Sequence, residues 1–164
     1  MNAALLTPDG VLRFRGENFR AAFGAGGIRA DKREGDGATP AGSLPLRRVL
    51  YRADRMARPA CAVPAEPIAP ADGWCDDAGN PAYNRMVTLP FGGRHEVLWR
   101  NDALYDVIGV LGWNDTPPVP GLGSAIFLHV ARPDYAPTEG CVALALGDIT
   151  WVLAAGCDAI EVRA

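Results

Sequence analysis

A chain of 164 residues suits one domain with one sizeable core, and its 49% hydrophobic and 21% charged residues are ordinary for a folded protein. A net charge of −3 excludes the basic footprint of a nucleic-acid binder, and no apolar run approaches the roughly 18 residues that span a bilayer. Nineteen glycines and fourteen prolines imply many turns and much β structure.

The amino terminus, Met1 to Gly10, has no basic start and no long apolar stretch, and it turns at Pro8. With Met1 as the true start the protein is expected in the cytoplasm; otherwise it is expected in the periplasm. Val11–Arg15 alternates apolar and polar residues, and Asn18–Ala21 does so more weakly. Gly16-Glu17 between them suits a hairpin turn, so the chain opens as a β-meander. Arg33–Gly42 is a turn-rich loop leading to Leu44-Pro45-Leu46 and a strand over 47–51. Residues 57–81 hold five prolines and read as a surface excursion, a lid or wall of a cleft.

Two apolar runs follow. The segment 102–111 ends in a buried strand, and 124–130 is a second strand ending near His129. Trp113–Gly123, with three prolines, is the loop between them. A helix is expected over 148–155, capped by Gly147 or Asp148 and closed by Gly156. Ala159–Arg163 alternates as a strand. The expected architecture is mainly β, with one or two short helices, in a single domain over 1–164.

The chemistry concentrates in Ile126–Leu144. His129 ends a strand, and Cys141, preceded by Gly140, follows twelve residues after it across a loop with two prolines. A thiol nucleophile needs a base within reach, exposure to substrate, and amide donors for the developing oxyanion. His129 on a neighbouring strand meets the first need, and pairing with imidazole can lower a cysteine pKa by several units from about 8.5. A Gly-Cys turn meets the third, because glycine lets backbone N–H groups converge. The plain alternative is a satisfied core histidine beside a small buried cysteine.

This segment resembles the catalytic signature of the L,D-transpeptidase (YkuD-type) family, a histidine followed by Ser/Thr-His-Gly-Cys-Val/Ile-Arg. Here it stands as His129, then Thr138-Glu139-Gly140-Cys141-Val142-Ala143. Lys32-Arg33-Glu34-Gly35-Asp36-Gly37-Ala38-Thr39-Pro40-Ala41-Gly42-Ser43-Leu44-Pro45-Leu46 resembles the family's upstream Lys…Gly-Asp-Gly-x-Thr-Pro-x-Gly-x-Phe/Leu block. Pro81–Arg85, Leu104–Asp106 and Leu111–Asp115 resemble blocks of a subgroup with a Thr-x-Gly-Cys variant. The likeness covers roughly residues 10 to 162. It departs at Glu139, where the family has a second histidine, and at Ala143, where it has arginine. His95 lies far upstream, in what reads as a surface turn or strand start, so His129 is the base that the resemblance implies.

The resemblance implies an L,D-transpeptidase-like fold of β-sandwich and mixed sheets, and chemistry on peptidoglycan stem peptides. Cys141 would attack the carbonyl of the third residue, diaminopimelate, and expel the terminal D-alanine, with amides around Gly140 and Cys141 holding the oxyanion. Water as acceptor gives an L,D-carboxypeptidase, the expectation favoured by the apparent lack of an export segment; an amine acceptor gives an L,D-transpeptidase. A non-catalytic wall-peptide-binding domain and a cysteine amidase on another amide are the rivals. Thr138, Glu139, Arg132, Trp113, Asn114, Tyr83, Arg85 and Tyr105 are candidates to line the cleft. Cys61, Cys75 and Cys157 are not assigned to the chemistry. No cofactor is expected, and with four cysteines in no zinc-ligand spacing and only two histidines, no metal.

Overall fold

Short apolar runs separated by glycine and proline turns favour paired strands, each run gaining burial on one or both faces. A computed structural model describes residues 1–164, in fourteen strands and one helix. The mainly β expectation therefore holds.

The chain opens with β1 (Ala3–Thr7), β2 (Val11–Phe14) and β3 (Glu17–Arg20), an antiparallel meander in which Leu6 faces Leu12 and Leu12 faces Phe19. The sequence reading identified the turn at Pro8 but not β1, because Ala3-Ala4-Leu5-Leu6 has no polar alternation. β4 (Ile28–Arg29) and β5 (Thr39–Pro40) pair in parallel around the turn-rich loop. β6 (Gly42–Tyr51) then runs ten residues without a break.

β7 (Ala65–Pro67), β8 (Asp72–Cys75), β9 (Met86–Thr88) and β10 (His95–Val97) come next. The last three make a small antiparallel sheet, ordered β10-β8-β9. Residues 57–81 are thus only partly a surface excursion: β7 pairs with β6, and Ile68, Trp74 and Cys75 are buried.

β11 (Val107–Leu111), β12 (Phe127–Val130), β13 (Val142–Leu144), α1 (Leu146–Ala154) and β14 (Ala159–Val162) complete the chain. The main sheet runs β13-β12-β11-β6-β14-β1-β2-β3. β14 lies between β6, antiparallel, and β1, parallel, and so ties the chain ends together. α1 starts two residues earlier than expected. Ala145 is its N-cap and makes no side-chain cap bond, so neither Gly147 nor Asp148 caps it; Gly156 takes the left-handed conformation after its end, φ +89°.

Side-chain alternation divides the core between the two faces of the sheet. The larger cluster joins Leu128 and Val130 of β12 to Ile149, Val152 and Leu153 of α1. The smaller joins Phe127 to Trp74 of the small sheet, Tyr105, Ile108 and Cys141. All four cysteines are free thiols. No helix is long and apolar enough to cross a membrane.

Candidate active site

β12 and β13 are parallel neighbours, with Leu128 opposite Val142 and His129 opposite Ala143. One residue back in that register, Cys141 lies beside Phe127. Phe127 and His129, two apart on one strand, point to the same face, so the register brings imidazole and sulfur onto one side of the sheet. Both line a cavity of about 530 Å³.

The backbone before the sulfur is closely fixed. Thr39 Oγ1 donates to Gly140 O at 2.8 Å and Thr138 Oγ1 donates to Cys141 O at 2.6 Å. Gly140 has φ +136°, and a Cβ there would sit 2.8 Å from Ala38 O, so only glycine fits. Its N–H donates to Thr138 Oγ1 at 3.1 Å. Of the two amides expected to converge on an oxyanion, that of Gly140 is therefore occupied, whereas Cys141 N–H donates to no protein acceptor.

The resting pair is neutral. The Cys141 thiol donates to Ala125 O at 3.2 Å and accepts from Phe127 N–H at 3.4 Å. Burial, with the nearby Glu96 carboxylate, pushes its pKa up to about 12. His129 Nδ1 lies 2.9 Å from Val130 O, which only accepts, so Nδ1 carries the proton and Nε2 keeps its lone pair. Burial lowers the His129 pKa, and Arg100 and Arg132 lower it further against the Val130 bond. No hydrogen bond joins imidazole to thiol. The expected lowering of the thiol pKa is not found, because burial in an apolar cluster outweighs any help from a neutral imidazole.

Other walls of the cavity come from distant segments. Arg132, Thr138 and Glu139 line it as expected, and so does Tyr105, whose ring meets His129 edge-on at 5.5 Å. Tyr83, Trp113, Asn114 and Arg85 do not. Tyr83 OH donates to Glu34 Oε1 just behind the wall. Trp113 Nε1 donates to Leu122 O, and the Asn114 side-chain amide closes its own loop on Val119 and Gly123. Arg85 lines a separate groove with Arg47 and Arg48. His95 starts β10 outside the cavity, its Nδ1 on Gly93 O.

The sequence reading missed Glu34, Glu96, Ser124 and Asn84. Glu96 lines the cavity and accepts from Tyr105 OH at 2.6 Å; burial raises its pKa, against the pull of the Tyr105 bond. Buried Asn84 anchors the wall behind the sulfur: its Oδ1 accepts from Ala125 N–H and Trp74 Nε1, and its Nδ2 donates to Trp113 O and Asn114 O. The available signal was alternation in β10, which turns Glu96 away from His95; nothing local marks Asn84 as buried. No group of three side chains is placed to hold a metal.

The family model for the YkuD L,D-transpeptidase catalytic domain matches residues 4–155. This chain belongs to the L,D-transpeptidase family. No curated protein sequence matches it. Among solved structures, Mycobacterium tuberculosis L,D-transpeptidase 1 is similar at 12% identity with a TM-score of 0.42; the match covers 99% of this chain, which spans 61% of that one. Within this L,D-transpeptidase domain, Ala143 and Glu139 occupy the two positions where the signature departs. Ala143 is buried beside His129, its N–H on Ala22 O, while Glu139 is exposed at the cavity mouth. Arg132, from the loop after β12, is an arginine lining the cavity in which the residue after Val142 is alanine.

Proposed function

We propose that the chain is a cysteine acyl-transfer enzyme on peptidoglycan stem peptides that cleaves between the third residue and the terminal D-alanine and releases the acyl group to water. The observation that carries this reading is the register of β12 and β13, which sets His129 and Cys141 on one face of one cavity. Belonging to the L,D-transpeptidase family supports the substrate class.

Because thiol and imidazole rest neutral, substrate must trigger proton transfer. The thiol leaves Ala125 O and passes its proton to His129 Nε2 as sulfur attacks the carbonyl carbon. The oxyanion gathers at Cys141 N–H, the amide without a partner. Arg132 faces the carboxylate of the departing D-alanine across the cavity. His129 returns the proton to the leaving amine, giving a Cys141 thioester. It then takes a proton from water, hydroxide adds to the thioester, and the sulfur leaves and recovers that proton.

A volume of about 530 Å³ is that of a pocket for one small ligand. Water is the acceptor that needs no second peptide beside the first, which supports hydrolysis over cross-linking. The test is a diaminopimelate tetrapeptide supplied alone and with excess D-amino acid, the products resolved by mass. Tripeptide release in both cases, absent in Cys141→Ala and His129→Gln, is the expected result. Dominant exchange or dimer formation would make the enzyme an L,D-transpeptidase, and no turnover would remove the stem-peptide reading.

A further inference from the structure

We infer that the cavity selects stem peptides whose third residue carries a free side-chain ammonium, and that Glu34 and Glu96 are the residues that select it. This rests on the acyl-transfer reading above and adds a substrate requirement to it.

Two carboxylates in the cavity are held alike. Glu34 Oε1 accepts from Tyr83 OH at 2.7 Å and from Ser124 Oγ at 2.5 Å, and the Tyr83 oxygen in turn accepts Gly123 N–H at 3.0 Å. Glu96 Oε1 accepts from Tyr105 OH at 2.6 Å. In each, one oxygen is pinned by tyrosine and the other makes no bond within the protein. Neither carboxylate has a cationic partner, whereas Asp76 is paired with Arg94, Asp102 with Arg100 and Asp36 with Lys32. Of the four acids that line the cavity, Asp76 is thus ion-paired and Glu139 is exposed at the mouth, which leaves Glu34 and Glu96 as the partly buried carboxylates without a cation.

The two glutamates flank the reacting atoms. Ser124, which holds Glu34, adjoins Ala125, whose carbonyl takes the thiol proton; Tyr105, which holds Glu96, packs on His129. Burying a carboxylate without a cation is costly, and a bound ammonium offsets that cost through short charge-assisted hydrogen bonds. An acylated amine, as in a stem already cross-linked through its third residue, brings a neutral amide into a cavity lined by these carboxylates and gains no such bonds. The cavity therefore favours uncross-linked stems.

The experiment compares two diaminopimelate tetrapeptides, one with its distal amine free and one with that amine acetylated, on the parent and on Glu34→Gln and Glu96→Gln. The parent should prefer the free amine at least about tenfold in kcat/KM, mainly through KM, as one charge-assisted contact implies. Each variant should bring that ratio several-fold closer to one. Equal KM values for the two peptides in the parent, or an unchanged ratio in both variants, would overturn the inference while leaving acyl transfer intact. If the parent turns over neither peptide, the stem-peptide reading beneath it falls. Covalent labelling of Cys141 by a carbapenem lacking a basic group then shows separately whether the thiol is reactive.

Discussion

Gly140→Ala tests whether the turn before Cys141 is set by backbone geometry. The native φ of +136° belongs to a region that residues with a Cβ rarely adopt, at a cost of about 1–3 kcal/mol. The new Cβ would lie 2.8 Å from Ala38 O, a backbone atom that cannot swing aside as a side chain can. Relief must come from the turn, which stretches the 2.8 Å bond from Thr39 Oγ1 to Gly140 O, worth about 1 kcal/mol. Together the loss is about 2–4 kcal/mol, or roughly 4–16 °C in Tm for a chain of this size. Shifting the sulfur by about 1 Å also slows acylation on the order of a hundredfold. Gly16→Ala is the comparator: φ is +83° but nothing lies within 4 Å of the new Cβ, so it loses only about 1–2 kcal/mol. Thermal unfolding gives the first quantity, and the rate of carbapenem labelling by mass spectrometry the second. If Gly140→Ala melts with Gly16→Ala and labels at the parent rate, the turn does not position Cys141.

Three further outcomes are expected. With its pKa near 12, the free Cys141 thiol should react slowly with iodoacetamide, the rate still rising above pH 9; a plateau with an apparent pKa below 8 would show a resting thiolate instead. Burial holds the folded His129 pKa below 6.5, so the unfolded chain binds more protons below that pH. His129 therefore costs no stability above pH 6.5 and a growing amount as pH falls through it, and urea midpoints should drop more between pH 7 and pH 5 in the parent than in His129→Gln; equal drops would contradict this. Thr138→Val removes both the bond to Cys141 O and the acceptor for Gly140 N–H, and should cost about 1–3 kcal/mol with slower acylation, whereas Thr138→Ser keeps both. Equal unfolding midpoints for the two Thr138 variants would show that the hydroxyl bonds contribute little.

Much of the fold was legible where period and punctuation agreed. Val11–Phe14 alternates and ends at a glycine turn, and Gly156 marks the helix end by needing a left-handed conformation. β1 and the small sheet were not legible. Ala3-Ala4-Leu5-Leu6 is a strand because β14, from the far end of the chain, pairs beside it, and that partner has no local signature. Trp74 and Cys75 are buried in a proline-rich stretch because Phe127, about fifty residues later, packs on Trp74 at 5.1 Å. At the site, Gly140-Cys141 and His129 stood out by residue type and spacing, and the resemblance singled them out further. Glu34, Glu96 and Asn84 did not, since a carboxylate or amide in a turn-rich segment looks solvated until the fold folds a wall over it. Tyr83, Trp113 and Asn114 make bonds in the wall and its loop and do not line the cavity.

The neutral resting pair bears on how such a site avoids idle reaction. A thiolate–imidazolium pair would be open to any electrophile that reached the cavity, whereas a thiol bonded to Ala125 O is held in its unreactive form beside a neutral imidazole that its bond to Val130 O keeps ready to act as base. The same strand that turns His129 inward also supplies Phe127 N–H to the sulfur, a donor that favours the thiolate against the effect of burial, so the wall that brings the thiol to its base also eases its ionisation. In the proposed acyl transfer, reaction then depends on a ligand that displaces the Ala125 contact and places its carbonyl at Cys141 N–H. A substrate ammonium drawn to Glu96 would neutralise a charge that holds the thiol pKa up, so binding the correct peptide would itself make Cys141 easier to ionise. Recognition and activation would in this way be coupled through one carboxylate. The coupling predicts that Glu96→Gln raises iodoacetamide reactivity of the free enzyme, since the like charge is gone. Lower or unchanged reactivity in that variant would mean that Glu96 does not act on the thiol.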